Sequence, residues 1–339
     1  MKKILAVVIL ALYAACTLAG DFDDGYAAYD KQNYGVALAK FKLAAAHGNA
    51  DAQYFLGIMY SSGEGVAENN AEAVRWYKLA AEKGNPFAQF NLGLKYEGGQ
   101  GVAQDNAAAV RWYKLAAAQG IVHAQYNLAV MYYNGKGVAQ NYVEALRWNK
   151  LAAAQGDANA QYFLAAMYER GQGVVQDQVE AAAWYKLAAA QGDAGAQTSL
   201  GLIYYHGKGV AQNYVEALRW YKLAAAQGDA HAQYNLAAMY FEGQGVTNNY
   251  LEAAHWYKLA AAQGDAGAQH NLGAMYYEGK GVLQDNIRAH MWWNLASVEG
   301  DAFSVKNRNM VASKMTPQQI AEAQKLAREC QARNFKNCD

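Results

Sequence analysis

The chain has 339 residues, of which 53% are apolar and only two are proline, so its composition excludes a disordered protein. Its 29 basic side chains balance 29 acidic ones. Because no basic excess is available to neutralise phosphate groups or to hold an anionic membrane surface, the charge argues against nucleic-acid binding.

Residues 1–19 have the pattern of a secretory signal peptide. A basic start precedes an apolar run from Ile4 to Ala15, which at about a dozen residues is too short to span a bilayer. We expect cleavage after Ala19 and export to the periplasm of a bacterium or to its medium, with no membrane span. Lipoprotein processing at Cys16 is the less favoured alternative, because Tyr13 stands where a branched aliphatic residue is expected.

The remainder of the chain is dominated by an internal repeat. Trp76 and Trp112 stand 36 residues apart in the same local sequence, and the spacing continues through Trp148, Trp184, Trp220, Trp256 and Trp292. A period of this size is typical of a stacked array of helical units, each of which contacts only its neighbours. We therefore expect an N-terminal capping helix pair at 20–48, seven repeats over 49–300 and a C-terminal cap at 301–339.

Each repeat predicts two antiparallel helices. In one repeat, Asp229 is placed to cap a first helix that ends at Gly243. Asn249, with Glu252 three residues later, marks the start of the second helix. The same Asn-x-x-Glu spacing starts at Asn69 in the first repeat, and it is that of a capping box, in which each side chain satisfies the other residue's backbone amide. With no strand pattern in the sequence, the fold is expected to be all-α.

Small residues recur at one position of the first helix, where they are expected to let neighbouring helices approach closely. They are Gly57, Gly93, Ala129, Ala165, Gly201, Ala237 and Gly273.

The repeated unit carries a motif that the first copy shows at Ala52, Leu56, Gly57, Tyr60, Gly63, Gly65, Val66, Ala73, Trp76, Tyr77, Ala80 and Ala81. This motif resembles the Sel1-like repeat, a relative of the tetratricopeptide repeat. The resemblance implies a right-handed superhelical solenoid of α-α helix pairs. It also implies that partners lie in a concave groove lined by the first helices.

The C-terminal cap contains the two cysteines of the mature chain. In an exported protein, Cys330 and Cys338 are expected to form one disulfide, with two free thiols as the alternative. A continuous helix would hold these residues about 12 Å apart, so the helix is expected to break near Asn334. Thr316, followed by a proline and by Gln319, predicts the start of the final helix in a capping box.

The candidate binding residues lie on the first helices, on the face opposite the repeated motif. Two positions there vary between repeats yet stay rich in aromatic residues, which offer a large contact area for little loss of rotamer entropy. The alternative is that these rings only pack between adjacent first helices. The candidate partner-binding residues are Tyr54, Phe90, Tyr126, Tyr133, Tyr162, Tyr205, Tyr234, Phe241 and Tyr277.

The sequence shows no constellation expected of an enzyme. The seven histidines are scattered without zinc-ligand spacing, so we expect no metal, no cofactor and no catalytic residue. The helicobacter cysteine-rich proteins are similar Sel1-like arrays to which penicillin binding and β-lactamase activity have been ascribed. Their repeats carry cysteine pairs that these repeats lack, and the Ser-x-x-Lys motif of serine penicillin-recognising enzymes is absent as well.

The sequence thus predicts an exported scaffold that binds a protein or peptide through a tyrosine-rich groove. Such a scaffold would serve as an adaptor in envelope assembly or as a secreted factor that meets a host protein. Two alternatives stay open: a binder of cell-wall glycan or muropeptide, because sugars stack on aromatic faces, and a β-lactamase-like hydrolase.

Overall fold

The computed structural model describes residues 20–336 and residue 338. The expected signal peptide, residues 1–19, lies outside the described residues. Within them every regular element is helical: eighteen α-helices and one 3-10 helix, Ser297–Glu299. The prediction of an all-α fold is confirmed.

The helices alternate along the chain as pairs. The chain starts with α1 (20–30) and α2 (Tyr34–Ala46). The first helices of the seven following pairs are α3 (Ala50–Ser62), α5 (Pro86–Gly98), α7 (Val122–Asn134), α9 (Ala158–Arg170), α11 (Ala194–His206), α13 (Ala230–Glu242) and α15 (Ala266–Glu278). Their second helices are α4 (Asn70–Glu82), α6 (Asn106–Ala118), α8 (Tyr142–Ala154), α10 (Gln178–Ala190), α12 (Tyr214–Ala226), α14 (Tyr250–Ala261) and α16 (Asn286–Ala296). The final helices are α17 (Ala302–Ala312) and α18 (Pro317–Ala332).

The chain divides into two compact units. The first contains the residues up to Ala160 together with Gln172–Val175, and the second contains Gln161–Gly171 and the chain from Gln176 onwards.

The predicted first-helix caps are present. Asp229 accepts a hydrogen bond from the Ala232 amide at 2.7 Å, which satisfies one of the free donors at the start of α13. At the other end, Gly243 adopts a left-handed conformation with φ of 75° and returns its N–H to the Met239 carbonyl. A residue with a Cβ would be strained there, so glycine fixes where the first helix ends.

The second-helix start differs from the predicted capping box. Asn69 accepts from the Glu72 amide at 3.1 Å, as expected, but its own N–H donates to the Tyr60 carbonyl at 2.8 Å. The Glu72 carboxylate instead pairs with Arg75 at 3.2 Å. The connecting turn brings the Tyr60 carbonyl to the Asn69 amide, which therefore does not bond to the Glu72 side chain. The predicted reciprocal hydrogen bond is wrong. The box predicted at Thr316 and Gln319 has both of its hydrogen bonds and is confirmed.

Close helix packing at the small-residue position is confirmed. A Cβ added at Gly57 would lie 2.4 Å from the ring of Tyr77, which belongs to the second helix of the same pair. Tyr77 is only 3% exposed, so the ring fills the space that the missing side chain leaves.

A buried glutamine ties consecutive helices together. Gln89, in α5, donates from Nε2 to the Ala81 carbonyl at the end of α4 at 3.1 Å. Its Oε1 accepts from Gln119, which caps α6, at 2.8 Å. Because one side chain joins three successive helices, the recurring Ala-Gln pair is explained by satisfied buried polar groups.

The C-terminal region contains one helix more than predicted. Asp301 caps the start of α17, where it accepts from the Ser304 amide at 2.8 Å. Asp301 stands 36 residues after Asp265, so α17 takes the sequence phase of a first helix in an eighth pair, a signal that the sequence analysis missed.

The predicted disulfide between Cys330 and Cys338 is present, with a Cα–Cα distance of 5.0 Å. The helix breaks after Ala332, and Asn334 and Phe335 take positive φ values of 51° and 62°, as the bridge requires. Cys330 is fully buried in the core cluster that also contains Trp292 and Trp293 of α16.

Candidate functional site

One row of candidate rings lies at the same position of successive first helices. Tyr54, Phe90, Tyr126 and Tyr234 are half-buried, and Tyr162 is 37% exposed. Four of these five rings pack on a buried tyrosine of the second helix in their own pair. The ring-centroid distances are 6.1 Å for Tyr54–Tyr77, 5.8 Å for Phe90–Tyr113, 5.6 Å for Tyr162–Tyr185 and 5.7 Å for Tyr234–Tyr257.

A second row lies two turns further along the same helices. Its rings, also half-buried, pack edge-on against a tyrosine at the start of the following second helix. The centroid distances are 5.1 Å for Tyr133–Tyr142, 5.2 Å for Tyr205–Tyr214 and 5.2 Å for Phe241–Tyr250. Tyr277 instead contacts Trp293 at 5.8 Å.

We call these nine predicted residues the first-helix stripe. Tyr54, Phe90, Tyr126 and Tyr133 belong to the first compact unit, and Tyr162, Tyr205, Tyr234, Phe241 and Tyr277 to the second. Eight of the nine pack against a neighbouring aromatic ring, and all nine keep part of their surface in solvent. Packing between helices, the alternative interpretation, is therefore compatible with an exposed binding edge.

A polar layer that the sequence analysis missed lies beneath the stripe. The buried Tyr113 donates from its hydroxyl to Glu97 at 2.7 Å, and Tyr185 donates to Glu169 at 2.8 Å. Asn271 donates to the Tyr257 hydroxyl at 3.0 Å. The constant spacing of 16 residues between each glutamate and its tyrosine is the signal that could have revealed this layer.

Burial is the main cause that raises the pKa of Tyr113 and Tyr185 far above the usual tyrosine value, and the neighbouring glutamates add to the effect. Both phenols stay protonated at any physiological pH. These two tyrosines therefore act as hydrogen-bond donors to the glutamates, and neither phenol can serve as a base or a nucleophile at such a pH.

The second helices present a competing surface that was also missed. In six of the seven, one leucine at the phase of the recurring Lys-Leu-Ala-Ala sequence is between 36% and 49% exposed, whereas Leu295 of α16 is only 4% exposed. These residues are Leu79, Leu115, Leu151, Leu187, Leu223 and Leu259. Unlike the stripe rings, these side chains are aliphatic. Within residues 20–336, no layer of buried hydrogen bonds like that of Tyr113 and Tyr185 lies beneath them.

The repeat family follows from a match to known sequences. The model of the Sel1 repeat matches seven consecutive segments: 50–85, 86–121, 122–157, 158–193, 194–229, 230–265 and 266–301. The chain belongs to the Sel1 repeat family.

Solved structures support the same conclusion. A Sel1 repeat protein from Oxalobacter formigenes is 32% identical, with 86% of this chain and 88% of that chain covered and a TM-score of 0.66. A protective antigen present in uropathogenic Escherichia coli strains, which displays an SLR fold, is 29% identical over 95% of this chain and 93% of that one, with a TM-score of 0.56. No match was found among curated proteins. The predicted fold class, a Sel1-like α-α solenoid, is confirmed.

One group of side chains in this Sel1 repeat protein has the composition of a hydrolytic triad. His270 Nδ1 lies 2.7 Å from the Ser304 hydroxyl and 3.2 Å from an Asp301 carboxylate oxygen. Both partners share one ring nitrogen, whereas a triad needs the serine and the acid on opposite nitrogens. Ser304 is also fully buried, so this arrangement fits a helix-joining contact rather than an attacking nucleophile.

Two absences apply to the described part of the chain. Over residues 20–336 and 338, no three His, Cys, Asp or Glu side chains are grouped so that they could hold a metal ion. None of the helices in this same part is long and apolar enough to cross a membrane.

Proposed function

We propose that this protein is an extracytoplasmic Sel1 repeat scaffold that binds a protein or peptide partner through the first-helix stripe, without a catalytic step. The observation that carries the proposal is that eight of the nine stripe aromatics pack against a neighbouring ring while part of each stays exposed to solvent. A ring that is already ordered loses little entropy on binding, which favours recognition.

The disulfide supports the cellular location. Disulfides persist in oxidising compartments and are rare in the bacterial cytoplasm. A bridge between Cys330 and Cys338, buried in the C-terminal core, is consistent with a protein that folds after export.

A variant of the stripe can be designed from the chain itself. Thr198 occupies the position of Tyr162 and Tyr234 in another repeat, where its hydroxyl donates to the helix-capping Asp229 at 3.0 Å. The capping aspartate recurs one repeat after each of the tyrosines. The repeat therefore folds with threonine at this position. We expect the triple variant Tyr126→Thr, Tyr162→Thr and Tyr234→Thr to keep the native fold.

The matched control removes apolar surface from the other face. It carries Leu115→Thr, Leu187→Thr and Leu223→Thr, three substitutions at exposed second-helix positions. Both variants should show the helical circular dichroism of the native protein.

The test is crosslinking in cells followed by affinity capture of the tagged native chain and of both variants. We expect the native chain and the leucine variant to enrich the same protein, and the stripe variant to lose it. Equal capture by all three chains would contradict the proposal, and so would enrichment of glycan without a protein partner.

A further inference from the structure

One charged side chain occupies a core position of the repeat. Lys95, in α5, is only 8% exposed. The equivalent positions of the other six repeats all carry apolar residues that are 2% exposed or less: Met59, Met131, Met167, Ile203, Met239 and Met275. The repeat therefore folds with methionine here, and the fold does not require the charge.

The ammonium group of Lys95 is surrounded by neutral oxygens. Nζ donates to Ser61 Oγ at 2.8 Å, to Asn70 Oδ1 at 2.6 Å and to Gln100 Oε1 at 3.2 Å. Among the described residues no carboxylate forms an ion pair with it. Burial lowers the pKa of Lys95, and Glu68 opposes that effect only as a more distant charge. A buried cation without a counter-charge is energetically costly. An anion bound beside Lys95 would therefore be favoured.

Two positions beside Lys95 carry small polar residues where several other repeats carry aromatic ones. Ser61 stands where four other repeats carry Tyr133, Tyr205, Phe241 and Tyr277. Asn70 stands where three others carry Tyr142, Tyr214 and Tyr250. In three of those repeats the two aromatic rings pack against each other, so their replacement by small polar residues leaves the space beside Lys95 open.

That space is a cavity of about 310 Å³. Lys95, Ser61 and Asn91 supply its polar lining, and Tyr54, Tyr77 and Ile58 its apolar lining. The exposed Ser62 and Leu94 also border it, so it is reached from solvent. Its size is at the lower end of that of small-molecule pockets and suits one side chain or terminal residue of a partner.

We propose that this cavity is a subsite for a carboxylate group and the apolar carbons that carry it, with Lys95 as its cation. The amide of Gln100, the most distant of the three acceptors around Nζ, is the one that the carboxylate displaces. The Tyr77 ring and Ile58 contact the apolar part of the ligand. The carboxylate is either the C-terminus of a peptide or an acidic side chain, and both present the same anion.

The subsite rests on the proposed function, because Tyr54 of the first-helix stripe forms one of its walls. The two can nevertheless fail separately. None of the three tyrosines replaced in the capture experiment lines this cavity, and small carboxylates can be tested without a partner protein.

The test is nuclear magnetic resonance of the protein with ¹³C-labelled lysine, in which the Lys95 ε-methylene signal is assigned by its loss in Lys95→Met. Three probes are titrated: N-acetylphenylalanine, its amide, and N-acetylglutamic acid with a blocked α-carboxyl group. The first presents a C-terminal carboxylate, the second no carboxylate and the third a side-chain carboxylate.

We expect a saturable shift of the Lys95 signal with the first or the third probe and none with the amide. Which carboxylate binds more tightly identifies the source of the anion. Lys95→Met, which restores the residue of the other repeats, should fold normally and bind that probe at least about tenfold more weakly, measured by calorimetry. No saturable shift with either carboxylate, an equal shift with the amide, or unchanged affinity in Lys95→Met would overturn the proposal.

Discussion

Replacement of Gly201 by leucine is the sharpest test of the packing between paired helices. A Cβ at Gly201 would lie 2.6 Å from two ring carbons of Tyr221, about 1 Å inside ordinary van der Waals contact. Tyr221 is 1% exposed and packs in a cluster with Leu236 and Met239, so the ring has no room to move. The whole leucine side chain must be accommodated by separating α11 from α12.

The expected loss follows from two opposing effects. Overpacking a well-filled core costs about 1–3 kcal/mol, and this site belongs at the upper end because backbone-proximal and ring atoms collide. The higher helix propensity of leucine than of glycine offsets roughly 0.8 kcal/mol of this loss. We therefore expect Gly201→Leu to lower the free energy of unfolding by about 2 kcal/mol.

Two matched substitutions isolate the effect. Gly35, in α2, has nothing within 4 Å of an added Cβ, so Gly35→Leu should be stabilising by several tenths of a kcal/mol. Gly201→Ala also places a Cβ against the Tyr221 ring but adds no atom beyond it, and it should cost clearly less than Gly201→Leu, because Ala165 and Ala237 are accommodated at the same position in other repeats. Urea unfolding followed by circular dichroism measures all three, and amide exchange should locate the loss to α11 and α12. Equal stability of the two leucine variants would refute the packing argument.

Four further outcomes are expected. Because burial lowers the pKa of Lys95 below the ordinary value of 10.5, the unfolded chain binds that proton more tightly, and native stability rises with pH between the lowered pKa and 10.5. Lys95→Met should therefore stabilise the protein most near neutral pH, with an advantage in urea unfolding that shrinks as the pH approaches 10.5; a constant advantage would contradict this. Gln125→Leu should cost about 1–3 kcal/mol, because it removes two hydrogen bonds of a buried side chain, one to the Ala117 carbonyl and one from the Gln155 side-chain amide. Reduction of the Cys330–Cys338 bridge should speed amide exchange in α18 more than in α12 to α14. An equal increase in all of these helices would argue against a local role of the bridge. Purified protein should hydrolyse nitrocefin no faster than a heat-inactivated sample.

Local signals explain why most of the fold could be predicted. The signals for helix starts, helix ends and close packing each depend on neighbours within one turn or one helix pair. Examples are the starts at Asp229 and Thr316, the end at Gly243 and the small residue Gly57. The repeat then fixes the order of the helices. The C-terminal disulfide was predicted from two cysteines in a chain expected to be exported, and the helix break followed from the length of a helix between them.

Features that depend on contacts between distant parts of the sequence were missed or mistaken. Asn69 was assigned the wrong amide partner because the Tyr60 carbonyl reaches it only after the turn folds back. The tyrosine–glutamate pairs beneath the stripe join residues of different helices. In the sequence, Lys95 stands where the other repeats carry methionine or isoleucine. Its three hydrogen-bond acceptors lie 5 to 34 residues away, so their contact with Lys95 could not be predicted from the repeat pattern alone.

The central claim is that partners contact the first-helix stripe rather than the exposed leucines. It is tested most directly by placing the photo-crosslinking residue p-benzoylphenylalanine at one position on each face. Tyr162 and Leu187 are suited to this comparison, because they are 37% and 49% exposed and lie in the same repeat. Irradiation in cells should produce a crosslinked partner from position 162 and little or none from position 187. Crosslinking from position 187 alone would contradict the assignment of the binding face.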